Sequence, residues 1–265
     1  MAELVFVGIG LHDEMGMSLR GLEETRTADN VFIELYTSLL PNFSIKRFEE
    51  ISGKKLRVLS RRELEEENGR VILEAAKSGK AVLLVPGDPL IATTHIALRI
   101  EAEKRGIKTR VVHGASIISA AMGLSGLQNY KFGKSVTIPL PENFSETPYW
   151  VIAQNRKLGL HTLCLLDIKA DEKKYLSIRE GLGALLKIEE KAKKGIITMD
   201  TLAVGIARAG SDNAAVKADF IRDLMNYNFG GPPHSLIFPG ELHFMEAEAL
   251  MILARAPAKV REMIK

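Results

Sequence analysis

The loop Pro86-Gly87-Asp88-Pro89 contains the residue types that point most directly to chemistry. It follows Ala81–Val85, an apolar run typical of a strand buried in a parallel sheet. Proteins of the α/β class bind ligands where such strands end. The two prolines and the glycine restrict the backbone and thereby orient the Asp88 carboxylate. This loop is a candidate binding site, and a plain turn in which Asp88 bonds its own backbone is an equally good interpretation.

Two loops in the second half have similar features. Ala207-Arg208-Ala209-Gly210-Ser211 ends a predicted strand, and its small residues would let a ligand lie against the main chain. Gly231-Pro232-Pro233-His234 is a rigid loop that presents a histidine just before the next strand. An ordinary turn explains each loop equally well when it is taken alone.

Two glycine motifs that bind nucleotides are incomplete. Gly8-Ile9-Gly10 begins like the dinucleotide fingerprint, but Asp13 occupies the third glycine position, where its charge would face a pyrophosphate. What remains is a tight turn that a ligand could approach closely. Gly133-Lys134-Ser135 resembles the end of a phosphate-binding loop, but Gln128 replaces the required glycine. We therefore predict neither a Rossmann nucleotide site nor a P-loop.

The sequence predicts no metal site and no hydrolase nucleophile. The six histidines are scattered, and none forms a His-Glu-x-x-His motif. Cys164 lies between leucines in a predicted strand, which indicates core packing. The Gly-x-Ser-x-Gly motif is absent.

Composition indicates an ordinary globular protein. Of the 265 residues, 46% are hydrophobic and 26% charged, which excludes a disordered, collagen-like or coiled-coil chain. The net charge of +3 predicts no strong attraction to nucleic acid or membranes. The charge-free stretch from Val111 to Tyr130 contains too many polar groups for a bilayer span. A single cysteine, with no signal peptide expected at the first residues, predicts a cytoplasmic protein.

Strand-like and helix-like runs alternate, which predicts an α/β chain with a mostly parallel sheet. Prolines 139, 141 and 148 mark a stiff passage with few helical signals. We place the domain boundary there, with one α/β domain over residues 1–133 and a second over 134–265. The predicted strands and helices are the strands Leu4–Val7, Val31–Ile33, Ala81–Val85, Thr109–Val112, Thr162–Leu166, Leu202–Ala207 and Ser235–Phe238, and the helices from Ser18 to Ala28, Ser60 to Ser78, Thr93 to Arg105, Ser177 to Lys194 and Leu242 to Arg255, with another beginning at Ser116.

The three loops occur in an order that resembles the archaeal diphthine synthases, a family within the tetrapyrrole-methylase superfamily. The Gly-Asp-Pro loop is typical of the superfamily, whereas the runs Glu34–Ser38, Tyr130–Ser135 and Pro232–His234 resemble the narrower family. Further matching runs are Gly8–Leu11, Leu90–His95, Ser116–Ile117, Gly159–Leu163, Leu166–Ala170 and Ala207–Ser211. The resemblance covers nearly the whole chain, apart from a poor match over Pro141 to Tyr149.

The resemblance implies two α/β domains with a cofactor cleft between them, unlike a Rossmann methyltransferase. It also implies a homodimer that uses S-adenosylmethionine as methyl donor and releases S-adenosylhomocysteine. The implied substrate is translation elongation factor 2 carrying a 3-amino-3-carboxypropyl histidine, whose amine receives three methyl groups to give diphthine. The cofactor contacts implied by the matching motifs are Leu11, Asp88, Ile91, Ser116, Ile117, Leu166, Ala209 and His234.

An amine attacks a methyl carbon only when it is neutral, so each methylation requires the loss of a proton. No residue type or spacing in the sequence identifies a general base. We expect backbone groups to hold most of the donor, with Asp88 supplying one oriented carboxylate. Tyr36, Thr37 and Lys134 are candidates for contact with the substrate, although a structural role is the better interpretation of each.

Two other functions stay open from the sequence. The first is a sibling methyltransferase that acts on a tetrapyrrole or on ribosomal RNA; the scattered arginines and the small net charge favour neither substrate. The second is a catalytically silent module that only binds a nucleoside.

Overall fold

The computed structural model describes residues 2–264, which divide into two compact units between Ile117 and Ile118. This division lies sixteen residues before the boundary predicted after residue 133. The reason is that the segment after Ser125 is anchored in the second unit. The Gln128 amide donates to the Glu246 carboxylate at 2.9 Å, and Lys131 Nζ donates to the same carboxylate at 2.5 Å.

The first unit is built on a parallel sheet, as predicted. Its order is β3-β2-β4-β1-β5 among the described strands, and every pair is parallel. The strands are β1 (Glu3–Gly8), β2 (Asn30–Glu34), β3 (Leu56–Leu59), β4 (Lys80–Val85) and β5 (Lys108–Val112), and the helices are α1 (Leu19–Arg26), α2 (Ile45–Ser52), α3 (Arg70–Ser78) and α4 (His95–Lys104). The central strands β1 and β4 are buried along nearly their whole length because helices cover both faces.

The strand order creates a switch point between β1 and β4. The chain leaving β1 reaches β2, on the far side of β4, while the chain leaving β4 reaches β5, on the far side of β1. The two connections therefore diverge, and their loops open a crevice at the carboxyl edge of the sheet. Asp88 and the Gly8–Gly10 turn both lie at this edge.

The second unit corrects the prediction of a mostly parallel sheet. Its order is β11-β10-β12-β7-β6 in the described chain, and only the β6–β7 pair is parallel. The strands are β6 (Val136–Ile138), β7 (Thr162–Leu166), β8 (Ile168–Lys169), β9 (Lys174–Tyr175), β10 (Leu202–Ala207), β11 (Ala215–Phe220) and β12 (His234–Phe238), and the helices are α5 (Ile117–Ser125), α6 (Thr147–Lys157), α7 (Ile178–Ala192), α8 (Ile221–Leu224) and α9 (Phe244–Leu253). The short connection from β10 to β11 permits only an antiparallel pair.

Two helix predictions need correction. The capping box of Ser60 and Glu63 forms, but the helix does not continue to Ser78. A π-helical turn over Arg62–Glu66 ends at Asn68 and Gly69, which both have left-handed backbone angles, and α3 begins after them. The proline-rich passage also contains more helix than predicted, because Pro148 occupies the first turn of α6, where its missing amide costs nothing.

None of the helices within residues 2–264 is both long enough and apolar enough to cross a membrane.

Candidate functional site

Three glycines bring the ends of β1, β4 and β5 into direct backbone contact. A Cβ atom added to Gly8 would lie 2.5 Å from the Gly87 carbonyl oxygen and 2.6 Å from the Gly114 amide nitrogen. A Cβ atom on Gly114 would lie 2.3 Å from the same Gly87 oxygen. The glycine at position 8 is therefore required by the protein's own packing, rather than by the approach of a ligand that the sequence suggested.

The turn after β1 is tied to the Gly-Asp-Pro loop after β4. The Gly87 amide donates to the Gly10 carbonyl at 2.7 Å, and the Gly10 amide donates back at 3.3 Å. Both residues have positive φ angles, +80° and +71° for Gly10 and Gly87, which glycine adopts at little cost. This reciprocal pair fixes the two loops on either side of the switch point.

Asp88 is buried, and its carboxylate has partners within the first unit. Oδ1 accepts a hydrogen bond from the Leu90 amide at 3.1 Å, as expected for a plain turn in which Asp88 bonds the backbone of its own loop. Oδ2 lies 2.7 Å from Nδ1 of His113, the residue that follows β5. The Asp88 carboxylate is therefore held both by its own loop and by a residue that follows β5, two strands away in the sheet.

His113 is the functional candidate that sequence reasoning missed. Its side chain is 75% exposed, whereas that of Asp88 is 7% exposed, so a buried carboxylate holds an imidazole that faces water. The sequence does contain a signal, because His113-Gly114 directly follows the predicted strand Thr109–Val112. Its pairing with a residue 25 positions earlier requires the parallel sheet order.

Five of the predicted cofactor residues follow three adjacent strands of the first unit. Leu11 comes after β1, Asp88 and Ile91 after β4, and Ser116 and Ile117 after β5. The side chain of Ile91 is 45% exposed. The sheet order thus gathers residues that are more than one hundred positions apart in sequence at one edge.

A buried polar cluster follows β2 at the same edge. The Glu34 carboxylate accepts hydrogen bonds from the Tyr36 and Thr37 amides, each at 3.0 Å, and from the Thr37 hydroxyl. His95 Nε2 lies 3.3 Å from the same carboxylate, which joins this loop to the start of α4. The Thr37 hydroxyl is therefore bonded to Glu34, which agrees with a structural role for this residue.

Tyr36 differs from Thr37 because its hydroxyl is buried and has no hydrogen-bond partner among the described residues. Burial raises the pKa of Tyr36 above its ordinary value, so the phenol stays protonated. The guanidinium of Arg61 lies over its ring at 5.2 Å from the centroid. Lys134, the third residue considered for substrate contact, is exposed in the second unit, where its backbone bonds the Asn155 side chain.

The second unit gathers the other three predicted residues at one sheet edge. His234 begins β12 and pairs with Ala207 at the end of β10. On the other side, Ser235 pairs with Leu165, so Leu166 lies beside His234. Ala209 is two residues beyond the end of β10 and is buried. Leu166, Ala209 and His234 thus belong to three neighbouring strand ends.

Arg208 binds the two loops of this edge together. Its guanidinium donates to the Phe229 carbonyl at 2.6 Å and to the Gly231 carbonyl at 2.7 Å. Its amide donates to the Pro233 carbonyl at 2.9 Å. Arg208 is therefore fully engaged in shaping the loop that presents His234.

His234 has two buried ring nitrogens without a hydrogen-bond partner in the described chain. Burial lowers the pKa of His234, so the ring is neutral near pH 7. In the first unit, Nδ1 of His12, the residue after Leu11, is buried and unpartnered in the same way. Leaving a buried polar atom unpaired costs about 1–3 kcal/mol, a cost that a bound polar ligand would remove.

Comparison with protein families identifies the class of protein to which the chain belongs. Residues 3–224 match the family described as Tetrapyrrole (Corrin/Porphyrin) Methylases. This match spans most of both units, and the chain therefore belongs to that family of S-adenosylmethionine-dependent methyltransferases.

Within this family, the similar proteins are diphthine synthases. The chain is 47% identical to the diphthine synthase of Methanosarcina acetivorans, with 98% of each chain covered. It is 49% identical to that of Methanosarcina barkeri, covering 96% of this chain and 97% of the other. A crystal structure of diphthine synthase superposes with a TM-score of 0.90 at 44% identity, covering 98% and 99% of the two chains. The chain is accordingly a member of the diphthine synthases.

Each unit has apolar residues and an unpartnered histidine nitrogen at its sheet edge among the described residues. These are Leu11, Ile91 and His12 in the first unit, and Leu166 and His234 in the second. The conformation of the Gly8–Gly10 turn, with Asp13 beyond it, agrees with a site that does not use the dinucleotide fingerprint.

Proposed function

We propose that this protein is the S-adenosylmethionine-dependent methyltransferase that forms diphthine during diphthamide biosynthesis. Its substrate is translation elongation factor 2 with a 3-amino-3-carboxypropyl group on a histidine, whose amine receives three methyl groups. The observation that carries this proposal is the similarity to diphthine synthases over 98% of the chain, at 47% identity.

The proposed donor contacts are Leu11, Asp88, Ile91, Ser116, Ile117, Leu166, Ala209 and His234. The bound donor supplies an electrophilic methyl group on a sulfonium. The chain's own contribution is to hold that donor by backbone groups and apolar side chains at strand ends, and to remove the proton of the accepting amine. Asp88 contributes by holding the Gly87–Asp88 loop and its partner His113.

We propose further that the protein acts in the cytoplasm as a homodimer and that it requires neither nucleic acid nor a membrane. Its protein substrate implies a broad docking surface beside the site. Light scattering on the purified chain tests the oligomeric state, and a mass of one protomer at working concentration would contradict the dimer.

The decisive experiment offers labelled S-adenosylmethionine with one acceptor at a time. The acceptors are elongation factor 2 with the carboxypropyl group, the unmodified factor, a tetrapyrrole and ribosomal RNA. We expect label on the modified factor alone, with a mass increase of three methyl groups on its histidine. Label on tetrapyrrole or RNA contradicts the proposal, as does donor binding without transfer to any acceptor.

The donor contacts are tested by calorimetry on His234→Phe, which keeps an aromatic ring and removes both nitrogens. We expect about 10- to 100-fold weaker donor affinity, the effect of losing one or two buried hydrogen bonds. His243→Gln serves as the control because His243 is an exposed histidine at the start of α9. Equal affinity of the His234 variant and the control would remove His234 from the site.

A further inference from the structure

At the switch point, the buried carboxylate of Asp88 forms a hydrogen bond with the exposed imidazole of His113. Nδ1 of His113 lies 2.7 Å from Oδ2 of Asp88, and no hydrogen bond to Nε2 is made by residues 2–264. A carboxylate only accepts hydrogen bonds, so Nδ1 carries the hydrogen, and in the neutral form of the ring Nε2 holds the lone pair. The exposed end of the ring is therefore a proton acceptor that a buried carboxylate orients.

The position of this pair relates it to the proposed reaction. His113 directly precedes Gly114, whose backbone touches the ends of β1 and of the β4 loop. Ser116 follows on the same loop and Ile117 begins α5, and both are proposed donor contacts. The imidazole thus stands beside the crevice where the strand order predicts a ligand.

The other histidines of the chain lack this arrangement. His161 and His95 are paired with carboxylates but are 0% and 2% exposed, so neither can reach a protein-bound amine. His12 and His234 have buried, unpartnered nitrogens. His243 is exposed but is used to cap α9, with no carboxylate bonded to its ring in the described residues.

We propose that His113 is the general base that deprotonates the substrate amine, with Asp88 as its positioning residue. This inference rests on the proposed function. It supplies the group that the sequence did not reveal, and it explains why the Asp88 carboxylate is directed at a histidine.

Each of the three methylations begins with the loss of a proton from the substrate nitrogen. An N–H bond of the ammonium breaks, its electron pair stays on nitrogen, and the proton bonds to Nε2 of neutral His113. The nitrogen pair then forms the bond to the methyl carbon while the carbon–sulfur bond breaks and its electron pair remains on sulfur. Asp88 stabilises the imidazolium through Nδ1–H, and the exposed ring returns its proton to water before the next cycle.

The charged surroundings of His113 are simple, which makes the pH profile interpretable. Asp88 is the one charged side chain within hydrogen-bonding or ion-pair distance of the ring in the part of the chain described here. Arg110, on the same strand β5, instead forms ion pairs with Glu3 and Glu24. A change in the pH profile after replacing His113 therefore reports on the Asp88–His113 pair.

The test is single-turnover methyl transfer from labelled S-adenosylmethionine to the carboxypropyl-modified factor, measured from pH 6 to pH 10. We expect His113→Gln to lower the rate about 100-fold or more near neutral pH, the usual contribution of a general base. The loss should shrink at high pH, where the free amine is abundant, and added imidazole should restore part of the rate. Donor affinity by calorimetry should stay within about twofold of wild type.

His243→Gln is the matched control and should transfer at the wild-type rate, since His243 lies outside the proposed machinery. A His113→Gln rate within threefold of wild type across the pH range overturns the inference. So does a loss that is equal at every pH and insensitive to imidazole, because that pattern indicates a structural role. His113→Asn provides a second variant with the same expectations. If wild-type protein transfers no label to the modified factor, the proposed function itself fails, and the inference fails with it.

Discussion

Two histidine–carboxylate pairs in this molecule have nearly the same separation and opposite surroundings. His113 and Asp88 are 2.7 Å apart in the first unit, with the imidazole 75% exposed. His161 and Glu246 are 2.9 Å apart in the second unit, with both side chains fully buried. The comparison shows that the distance within a pair does not indicate its role, whereas the remaining hydrogen-bonding capacity does.

Both ring nitrogens of the buried histidine, His161, already have hydrogen-bond partners. Nδ1 of His161 accepts the Gly240 amide hydrogen at 2.9 Å, so Nε2 carries the hydrogen donated to Glu246. Burial lowers the pKa of His161, which keeps the ring neutral. Glu246 also accepts from Gln128, Lys131 and His243, and thereby connects α9 to β7 and to the segment before β6. The His161–Glu246 pair therefore has a structural role, whereas the exposed His113–Asp88 pair keeps one ring nitrogen available for a further hydrogen bond.

The largest expected effect is on the buried pair. Glu246→Ala leaves His161 and Lys131 without their shared acceptor, and breaking a buried ionic network costs about 3–5 kcal/mol of unfolding free energy. Urea denaturation followed by circular dichroism measures this loss. Glu248→Ala, one half-turn away and exposed on the same helix, should change stability by less than about 0.5 kcal/mol. Equal losses in the two variants would contradict the structural role.

Acid should weaken the same network. Hydrogen bonds from Lys131, His243, Gln128 and His161 outweigh the cost of burial and lower the pKa of Glu246 from 4.5 to about 2. Because the pKa of Glu246 is lower in the folded protein than in the unfolded chain, the ionised carboxylate stabilises the fold at any pH above the unfolded-state pKa. This contribution, about 3 kcal/mol, is lost as the pH falls through the folded-state pKa of about 2.

Comparison with Glu246→Gln isolates this contribution from that of other carboxylates. The difference in unfolding free energy between wild type and the variant should be constant above about pH 5 and should shrink as the pH falls toward 2. A difference that is independent of pH over this range would mean that Glu246 titrates normally.

The smallest stability effect is expected at the exposed pair. His113→Gln should alter the unfolding free energy by no more than about 0.5 kcal/mol, because the exposed imidazole adds little packing and the glutamine amide can still donate a hydrogen bond to the Asp88 carboxylate. Thermal unfolding with and without donor measures the change. If His113→Gln lowered the unfolding free energy as much as Glu246→Ala does, both histidine–carboxylate pairs would be structural, and the proposed difference between them would be wrong.

Much of the fold could be predicted from local patterns. β7 and β10 span the predicted ranges, and Ser177 caps α7 in a capping box. These features depend on neighbouring residues, so the sequence contains all that they need. The same is true of the loops that matched the diphthine synthases, since a motif is a local property.

The features that local patterns did not predict depend on contacts between distant parts of the chain. The antiparallel pairing of β10, β11 and β12 has no local signature that separates it from a parallel arrangement. The division at Ile117 depends on contacts that the segment around Gln128 makes with Glu246, more than one hundred residues later. No window of sequence contains both partners.

What the sequence determined by itself was the family, the α/β alternation and the placement of Asp88 at the end of a buried strand. What only the tertiary structure decided was the partner of that carboxylate. The order β4-β1-β5 places the residue after β5 next to the loop after β4, although β1 lies between the two strands. The glycines at positions 8 and 114 allow that approach, because any larger residue there would push the three strand ends apart.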